Sequence, residues 1–446
     1  MSHFRRLTVG ISSIRGIVGE RLQPVLAADF ASSFGGFLGK GTVIVARDTR
    51  QSGIMLEQAV ISGLIAAGCK VISAGIIPTP TVQLAVKQHE YTGAIMISAS
   101  QHPKEWNALK FINQNGMYLS ESEMETLFDI YNQPEDGFLK ENLFHPVLKE
   151  KSFFEEHSEK ILQKIDTGAI RSANLKIAVD CGNGVGAIYT RRFLLNLGVK
   201  EVFLLNETPD GNFPESNRDL SECIVANGCH AGFIQDPDGD NITLLDESGN
   251  QLDDQKSILI PCIRILERTP GNISASIQTT AALNDLVRNA GGKIFYTRIG
   301  EACISRSVLK NETVLGVEGG GIIWKEIHPC RDSFAAMALT LEKLALSGQK
   351  TSQIIKSVPI YFSAERSLKC NAKSAEAALR NLEKKFSSFQ PELIDGVRIE
   401  MENSWVLVRK SSSESALRIY TESGKSGENA EEIAEDFKNE LQNFLV

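Results

Sequence analysis

Asp236-Pro237-Asp238-Gly239-Asp240 sets three carboxylates at a spacing of two. In an extended segment that spacing puts the side chains on one side. Converging carboxylates repel unless a cation neutralises them, and an all-oxygen donor set suits Mg2+. A turn rich in Asp, Gly and Pro is the plainer reading. The later Gly and Glu and the flanking helices of an EF-hand are missing. A second segment, Ser98-Ala99-Ser100-Gln101-His102-Pro103, is a small-residue turn that could project the Ser100 hydroxyl as a nucleophile, or be only a turn before a proline. Lys110, ten residues on in Asn107–Lys110, could move a proton to or from an attacking hydroxyl, or be a solvated loop lysine.

Two further segments carry weaker signals. Gly316-Val317-Glu318-Gly319-Gly320-Gly321 has three consecutive glycines that let backbone approach a ligand, and Glu318 could accept hydrogen bonds from sugar hydroxyls. A flexible bulge has the same composition. Arg409-Lys410-Ser411-Ser412-Ser413-Glu414-Ser415 combines a guanidinium, hydroxyls and turn amides, which together make a phosphate clamp or a surface linker.

All four segments follow an expected strand, and open α/β sheets bind ligands at the carboxyl ends of their strands. Thr42–Ala46, Lys70–Ser73 and Ala94–Ser98 read as strands, with a helix over Gly53–Ala67 between the first two. The alternation signals βαβ units and mostly parallel sheets. Ser120-Glu121-Ser122-Glu123 is a capping box opening a helix. The pattern restarts with a strand at Leu175–Val179, a helix at Val185–Leu197, strands at Glu201–Leu205 and Gly232–Gln235, and a hairpin from Ile242–Leu245 turning at Glu247–Asn250. A third run holds strands at Ile273–Ile277, Lys293–Tyr296 and Val314–Val317 and a helix from Arg331 to Leu346. The last part reads as strands at Val397–Met401, Trp405–Val408 and Leu417–Thr421 with amphipathic helices at Ala375–Phe386, capped by Ser374, and Glu428–Phe444.

The 446 residues exceed one ordinary core, so several domains are expected. A formal charge of −8 gives no electrostatic footprint for nucleic acid. None of the eight cysteines forms a CxxC pair, which points to reduced thiols in a cytoplasmic protein. The opening MSHFRRLTVG leads into no apolar signal segment, and no apolar run is long enough to span a bilayer.

In order, these segments resemble the α-D-phosphohexomutase family of phosphoglucomutases, phosphomannomutases and phosphoglucosamine mutases, across nearly the whole chain. GISSIRG at Gly10–Gly16 resembles the family's GTSGIRG, and RDTRQSG at Arg47–Gly53 resembles RDTRPSG. SASQHPKEWNALK at Ser98–Lys110 resembles TASHNP followed by NGxK. DPDGDN at Asp236–Asn241 resembles the metal loop DPDxDR. Gly316–Gly321 resembles the sugar loop GGEGNGG of the archaeal-type glucosamine branch, and Trp405–Glu422 resembles WVLVRPSGTEPLLRVYVE.

The resemblance implies an α/β chain: three related α/β domains with mixed, mostly parallel sheets and a C-terminal α+β domain, around a central cleft. The expected boundaries are 1–150, 151–253, 254–357 and 358–446, carrying the nucleophile, the metal, the sugar and the phosphate loops in turn. Ser100 would be the phosphoserine and, with Asp236, Asp238 and Asp240, a ligand of one Mg2+ per chain. Lys110 and Arg15 would assist proton transfer and charge stabilisation. Glu318 and Gly320 would meet the sugar, and Arg409, Ser411, Ser413 and Arg418 the phosphate not undergoing transfer. The implied reaction moves phosphate between positions 1 and 6 of a hexose or hexosamine phosphate through a hexose 1,6-bisphosphate. The expected partner is a small sugar phosphate, with no nucleic acid or membrane, in a monomer or homodimer.

This chain also departs from the pattern. Gln101 and His102 replace His-Asn, Asn241 replaces an Arg, the sugar loop is one residue short near Gly320, Ser13 and Ala108 replace glycines, and Lys410, Ser412 and Ser415 replace Pro, Gly and Pro. A glucosamine substrate fits the wording best. Glucose or mannose phosphates, a weakly catalytic paralogue that binds sugar phosphate, and a phosphatase with an aspartate nucleophile are the alternatives. The last leaves SASQHP and the clamp unexplained.

Overall fold

A computed structural model describes residues 8–10, 12–133, 145–150, 152–214, 218–411 and 415–445. They form two compact units. One runs to Ile265 and takes back Gly319–Gln353; the other holds Leu266–Glu318 and Ile354–Val446.

The first unit carries a seven-stranded sheet in the order Thr8–Val9, Ser13–Ile17, Trp106–Asn113, Gly93–Ile97, Thr42–Arg47, Lys70–Ile76, Leu148–Lys149. Gly93–Ile97 is parallel to Thr42–Arg47 and antiparallel to Trp106–Asn113. The alternation of apolar runs and helices is thus a mixed sheet, with the Ser100 turn joining its antiparallel pair. Phe30, Phe34 and Phe111 are fully buried in its core. Ser120 and Glu123 form the expected capping box.

A four-stranded sheet follows in the order Ile242–Leu245, Ala231–Gln235, Lys176–Asp180, Glu201–Leu205. The last three strands are parallel. Ile242–Leu245 pairs antiparallel with Ala231–Gln235, so the aspartate loop itself is the hairpin connection. The turn expected at 247–250 exists but returns only to a single bridge, Leu245 to Gln251. Its anchor is Asp246, which accepts from the amides of Ser248 and Asn250.

Helix Ser333–Ser347 begins two residues later than expected because the Asp332 carboxylate caps it, accepting from the Phe334 and Ala335 amides. Phe334 packs edge-on against Phe154 and Phe193. Nearby, the Nε2–H of buried His328 donates to the Gly116 carbonyl at 2.9 Å. Burial, with Lys160, His157 and Lys87 adding to it, pushes the imidazole down to about 4 against that hydrogen bond. The depressed value means that the folded chain stays neutral while the unfolded chain gains a proton. Stability is therefore complete above about pH 6.5 and falls as pH drops towards 4, by about 1.4 kcal/mol per unit. Gln keeps a donor without the titration. His328→Gln should then lose less unfolding free energy than wild type across that window in urea melts; parallel profiles would exclude the histidine as the source.

In the second unit, Ile273–Ser276 lies between Ile294–Thr297 and Leu315–Glu318, all parallel. The C-terminal sheet is antiparallel, in the order Phe362–Lys369, Ala416–Ser423, Ser404–Lys410, Val397–Met401. Helices Ala372–Lys385 and Gly427–Leu445 cover it, giving the expected α+β arrangement. Phe362–Lys369 is a strand that the sequence reading missed, since it is largely exposed and has no apolar run. The helix expected over Ala375–Phe386 with Ser374 as its cap begins at Ala372, because the Asn371 amide oxygen accepts from the Ser374 N–H and is the cap. Arg398 is 1% exposed. It lies 4.8 Å from the Tyr296 ring and 4.4 Å from the Trp405 ring and donates to the Ile277 carbonyl.

Among the described residues no helix is long and apolar enough to cross a membrane. All eight cysteines are free thiols.

Candidate active site

Ser100 is the second residue of the turn closed by the His102 amide on the Ala99 carbonyl at 3.1 Å, and has φ of +51°. This left-handed conformation disfavours a side chain and persists only where surroundings impose it. Its N–H donates to Ser98 Oγ at 3.0 Å, and its Oγ donates to Asp236 Oδ2 at 2.9 Å. A hydroxyl 136 positions away in sequence from the first aspartate therefore touches it.

The aspartate loop is not extended. Asp236 Oδ1 accepts from the amides of Asp240 and Asn241, both at 3.0 Å, and Gly239 takes φ of +71°. The carboxylates converge through this turn rather than through strand alternation. Ligand atoms of Asp236, Asp238 and Asp240 lie within 4.8 Å of one another, and all three residues are buried.

Lys110 is on a strand, not in a loop. Trp106–Asn113 is paired on both sides, with Lys110 opposite Met96 and Ser13. Its Nζ reaches Asp238 Oδ2 at 2.5 Å and Asp240 Oδ2 at 3.9 Å. Burial works against the ammonium, but Asp238, Tyr118 and Asp240 hold it above its ordinary value. Burial likewise pushes the Asp238 carboxyl up, and Lys110, Thr79 and Arg331 pull it below the usual carboxylate range. Asp236 has no such cation. Burial and the Asp240 and Asp238 carboxylates push it well above that range.

Two residues that the sequence reading did not assign to the site complete this loop. Thr79, opening helix Thr79–Gln88, donates its hydroxyl to Asp238 Oδ2 at 2.7 Å and its amide to the Asp238 carbonyl at 2.9 Å. Arg331 reaches Asp240 Oδ2 at 2.6 Å and Asn241 Oδ1 at 3.3 Å. Thr79 sits in a proline-flanked strand-to-helix turn, IPTPT, the only signal that could have marked it. Arg331 precedes a helix cap, which marks no site.

Two buried oxygens, Asp238 Oδ1 and Asp240 Oδ1, have no hydrogen-bond partner. Unpartnered buried carboxylate oxygens are costly. Beside Asp236 and the Ser100 hydroxyl they fit a hard divalent cation with oxygen ligands. Arg15 lies along the nucleophile turn, 2.8 Å from His102 Nε2.

Gly320 packs against the aspartate loop's exit strand. Its carbonyl accepts from the Ile242 amide at 3.1 Å, and a Cβ there would lie 2.5 Å from the Ile242 carbonyl oxygen. It spaces that loop closely, whatever else it meets.

In the second unit, Glu318 Oε1 accepts from the Gly300 amide at 2.5 Å, ahead of helix Glu301–Lys310. Arg409 pairs with Asp395 Oδ2 at 3.2 Å, and the same oxygen accepts from the Ile299 amide at 3.2 Å. Arg409 Nε is buried without a partner. Ser411 donates its amide to the Ala416 carbonyl at 2.9 Å. Arg418 lies opposite Arg409 and pairs with Glu365 at 3.0 Å. Ser413 lies outside the described residues.

A serine and a buried acidic triad on strand-end loops of α/β sheets, with a strand lysine against the triad, define an enzyme of the phosphoryl-transfer class. The sequence matches four family models in succession. They are the phosphoglucomutase/phosphomannomutase alpha/beta/alpha domain I over residues 6–137, domain II over 155–249, domain III over 254–361 and the C-terminal domain over 366–440. The chain is 32% identical over 443 residues, 96% of each chain, to a probable phosphoglucosamine mutase of Methanopyrus kandleri. The same identity and coverage relate it to a phosphoglucomutase/phosphomannomutase of Thermococcus kodakarensis. A crystal structure of a phosphoglucomutase/phosphomannomutase family protein from Burkholderia thailandensis matches with a TM-score of 0.85 at 25% identity, over 97% of this chain and 96% of that one.

The chain belongs to the phosphoglucomutase/phosphomannomutase family. It is a phosphohexomutase, an isomerase that acts as an intramolecular phosphotransferase.

Proposed function

We propose that the chain is a phosphoglucosamine mutase, exchanging phosphate between positions 1 and 6 of the hexosamine through phospho-Ser100. The observation that carries this reading is the Ser100 hydroxyl 2.9 Å from Asp236, at a loop with two unpartnered buried carboxylate oxygens. The glucosamine assignment draws on the WNALK wording, the glycine-rich sugar loop and the name of the Methanopyrus relative.

Asp236, Asp238, Asp240 and Ser100 would hold one Mg2+ per chain. Bound there, the ion supplies charge neutralisation for the transferring phosphoryl group. A sugar hydroxyl oxygen bonds to phosphorus as the phosphorus–Oγ bond of phospho-Ser100 breaks. Lys110, held as an ammonium by Asp238, gives one of its protons to the leaving Ser100 Oγ, and the amine so formed takes up the proton that the sugar hydroxyl loses. Arg15 stabilises charge on the phosphoryl oxygens. The hexose 1,6-bisphosphate so formed turns over and returns its other phosphate to Ser100. Glu318 and Gly320 serve the sugar, and Arg409, Ser411, Ser413 and Arg418 serve the idle phosphate. The four successive stretches of chain thereby divide the roles of nucleophile, metal, sugar and phosphate binding.

A panel of glucosamine, glucose and mannose 6-phosphates, each with Mg2+ and catalytic 1,6-bisphosphate, tests this by phosphorus NMR. Glucosamine phosphate should show the highest kcat/KM. Preference for glucose or mannose phosphate replaces the substrate, and inactivity on all three overturns the mutase reading.

A further inference from the structure

The left-handed backbone of Ser100 needs a cause, and a buried arginine supplies it. Arg50 is 1% exposed. One arm of its guanidinium pairs with the Asp48 carboxylate, whose other oxygen accepts the Arg50 amide at 2.9 Å. The second arm, NH2, donates to the Ser100 carbonyl at 2.8 Å and to the His102 carbonyl at 2.5 Å. One planar cation thus gathers two carbonyls from either side of the nucleophile turn while a carboxylate fixes the cation itself.

The same arginine ties this turn to the sheet that bears the aspartate loop. Its guanidinium lies 4.5 Å from the centroid of the Phe213 ring. Thr49 donates its hydroxyl to the Asn183 carbonyl at 2.8 Å. Gly211 takes φ of +74°, and a Cβ on it would stand 2.8 Å from Arg50 Cα. Asn183 follows strand Lys176–Asp180, the neighbour of the strand that leads into Asp236, and the Gly211–Phe213 segment follows Glu201–Leu205, the next strand out in the same sheet.

We propose that Arg50 is a positioning residue for phosphoryl transfer: it locks the Ser100 turn in its left-handed conformation and, through Phe213, sets the reach of Oγ to the aspartate loop. This rests on Ser100 being the nucleophile. The fork is essential because a lysine ammonium keeps the charge opposite Asp48 but is a point donor without planar geometry.

The test uses the full chain, Mg2+ and glucose 1,6-bisphosphate as phosphoryl donor, reading phosphate on Ser100 by intact mass and peptide mapping in single turnovers. Arg50→Lys should slow phosphorylation about 100-fold, the scale of a misplacement near 1 Å. Phe213→Leu should slow it about tenfold, the scale of a desolvated cation–π contact. Both should leave the dissociation constant for hexose 6-phosphate unchanged and speed amide hydrogen exchange over residues 99–102. A wild-type rate in Arg50→Lys overturns the proposal. If that variant does not fold, a wild-type rate and wild-type exchange in Phe213→Leu do so. Failure of the parent reading looks different: there the wild-type chain takes up no phosphate on Ser100, whatever the exchange rates of the variants.

Discussion

Ser100→Ala should lose mutase turnover on the order of 10^5- to 10^6-fold, the scale seen when a covalent nucleophile is removed. Only Oγ goes. The residue is half-buried, and alanine can be held in the same turn by the contacts to its carbonyl and amide. The fold and the affinity for hexose 6-phosphate should therefore persist, as calorimetry would report. A variant that retains even a hundredth of wild-type activity would place the phosphoryl acceptor elsewhere.

The aspartates should differ sharply when replaced one at a time. Asp238→Asn leaves Lys110 charged, largely shielded from water and without its closest carboxylate. Breaking a buried pair by removing one member costs about 3 kcal/mol or more. Asp236→Asn removes a carboxylate that faces Asp238 and Asp240 with no cation against it, so the metal-free protein should lose little or gain stability. Both variants should lose the stabilisation by Mg2+, about 2.7 kcal/mol at a hundredfold excess over its dissociation constant. Urea melts with and without Mg2+ read all of these values. Equal losses in the metal-free variants would contradict the asymmetric charge arrangement, and a retained Mg2+ response would move the ion to other ligands.

What was legible in the sequence was mostly what neighbouring residues decide. Aspartates two apart, a serine after an apolar strand and a Ser-x-x-Glu cap are local patterns; the serine and the cap lie where their patterns placed them, whereas the aspartates converge through a turn and not through an extended segment. Lys110 was read as a loop residue because Asn107 and Ala108 are poor strand markers. Its strand exists because Ser13–Ile17 and Gly93–Ile97 flank it, a tertiary cause. Thr79, Arg331 and Arg50 contribute through contacts to residues 50 or more positions away. Arg50 lay inside a quoted motif, yet nothing in RDTRQSG says that its guanidinium reaches the Ser100 carbonyl. The positive φ of a serine likewise has no sequence signature; Asn or Gly would have marked such a position. Asp395 was invisible for the same reason: its pairing with Arg409 joins separate segments of the second unit.

The Arg398 sandwich bears on how such a chain can drift over generations. Tyr296 and Trp405 come from different sheets, and the cation between them is shielded from water. Loss of either ring removes apolar cover from a guanidinium that stays bonded to Glu400 and the Ile277 carbonyl, and loss of the guanidinium takes a cation from both rings. An exchange at any one of the three positions therefore changes the surroundings of the other two.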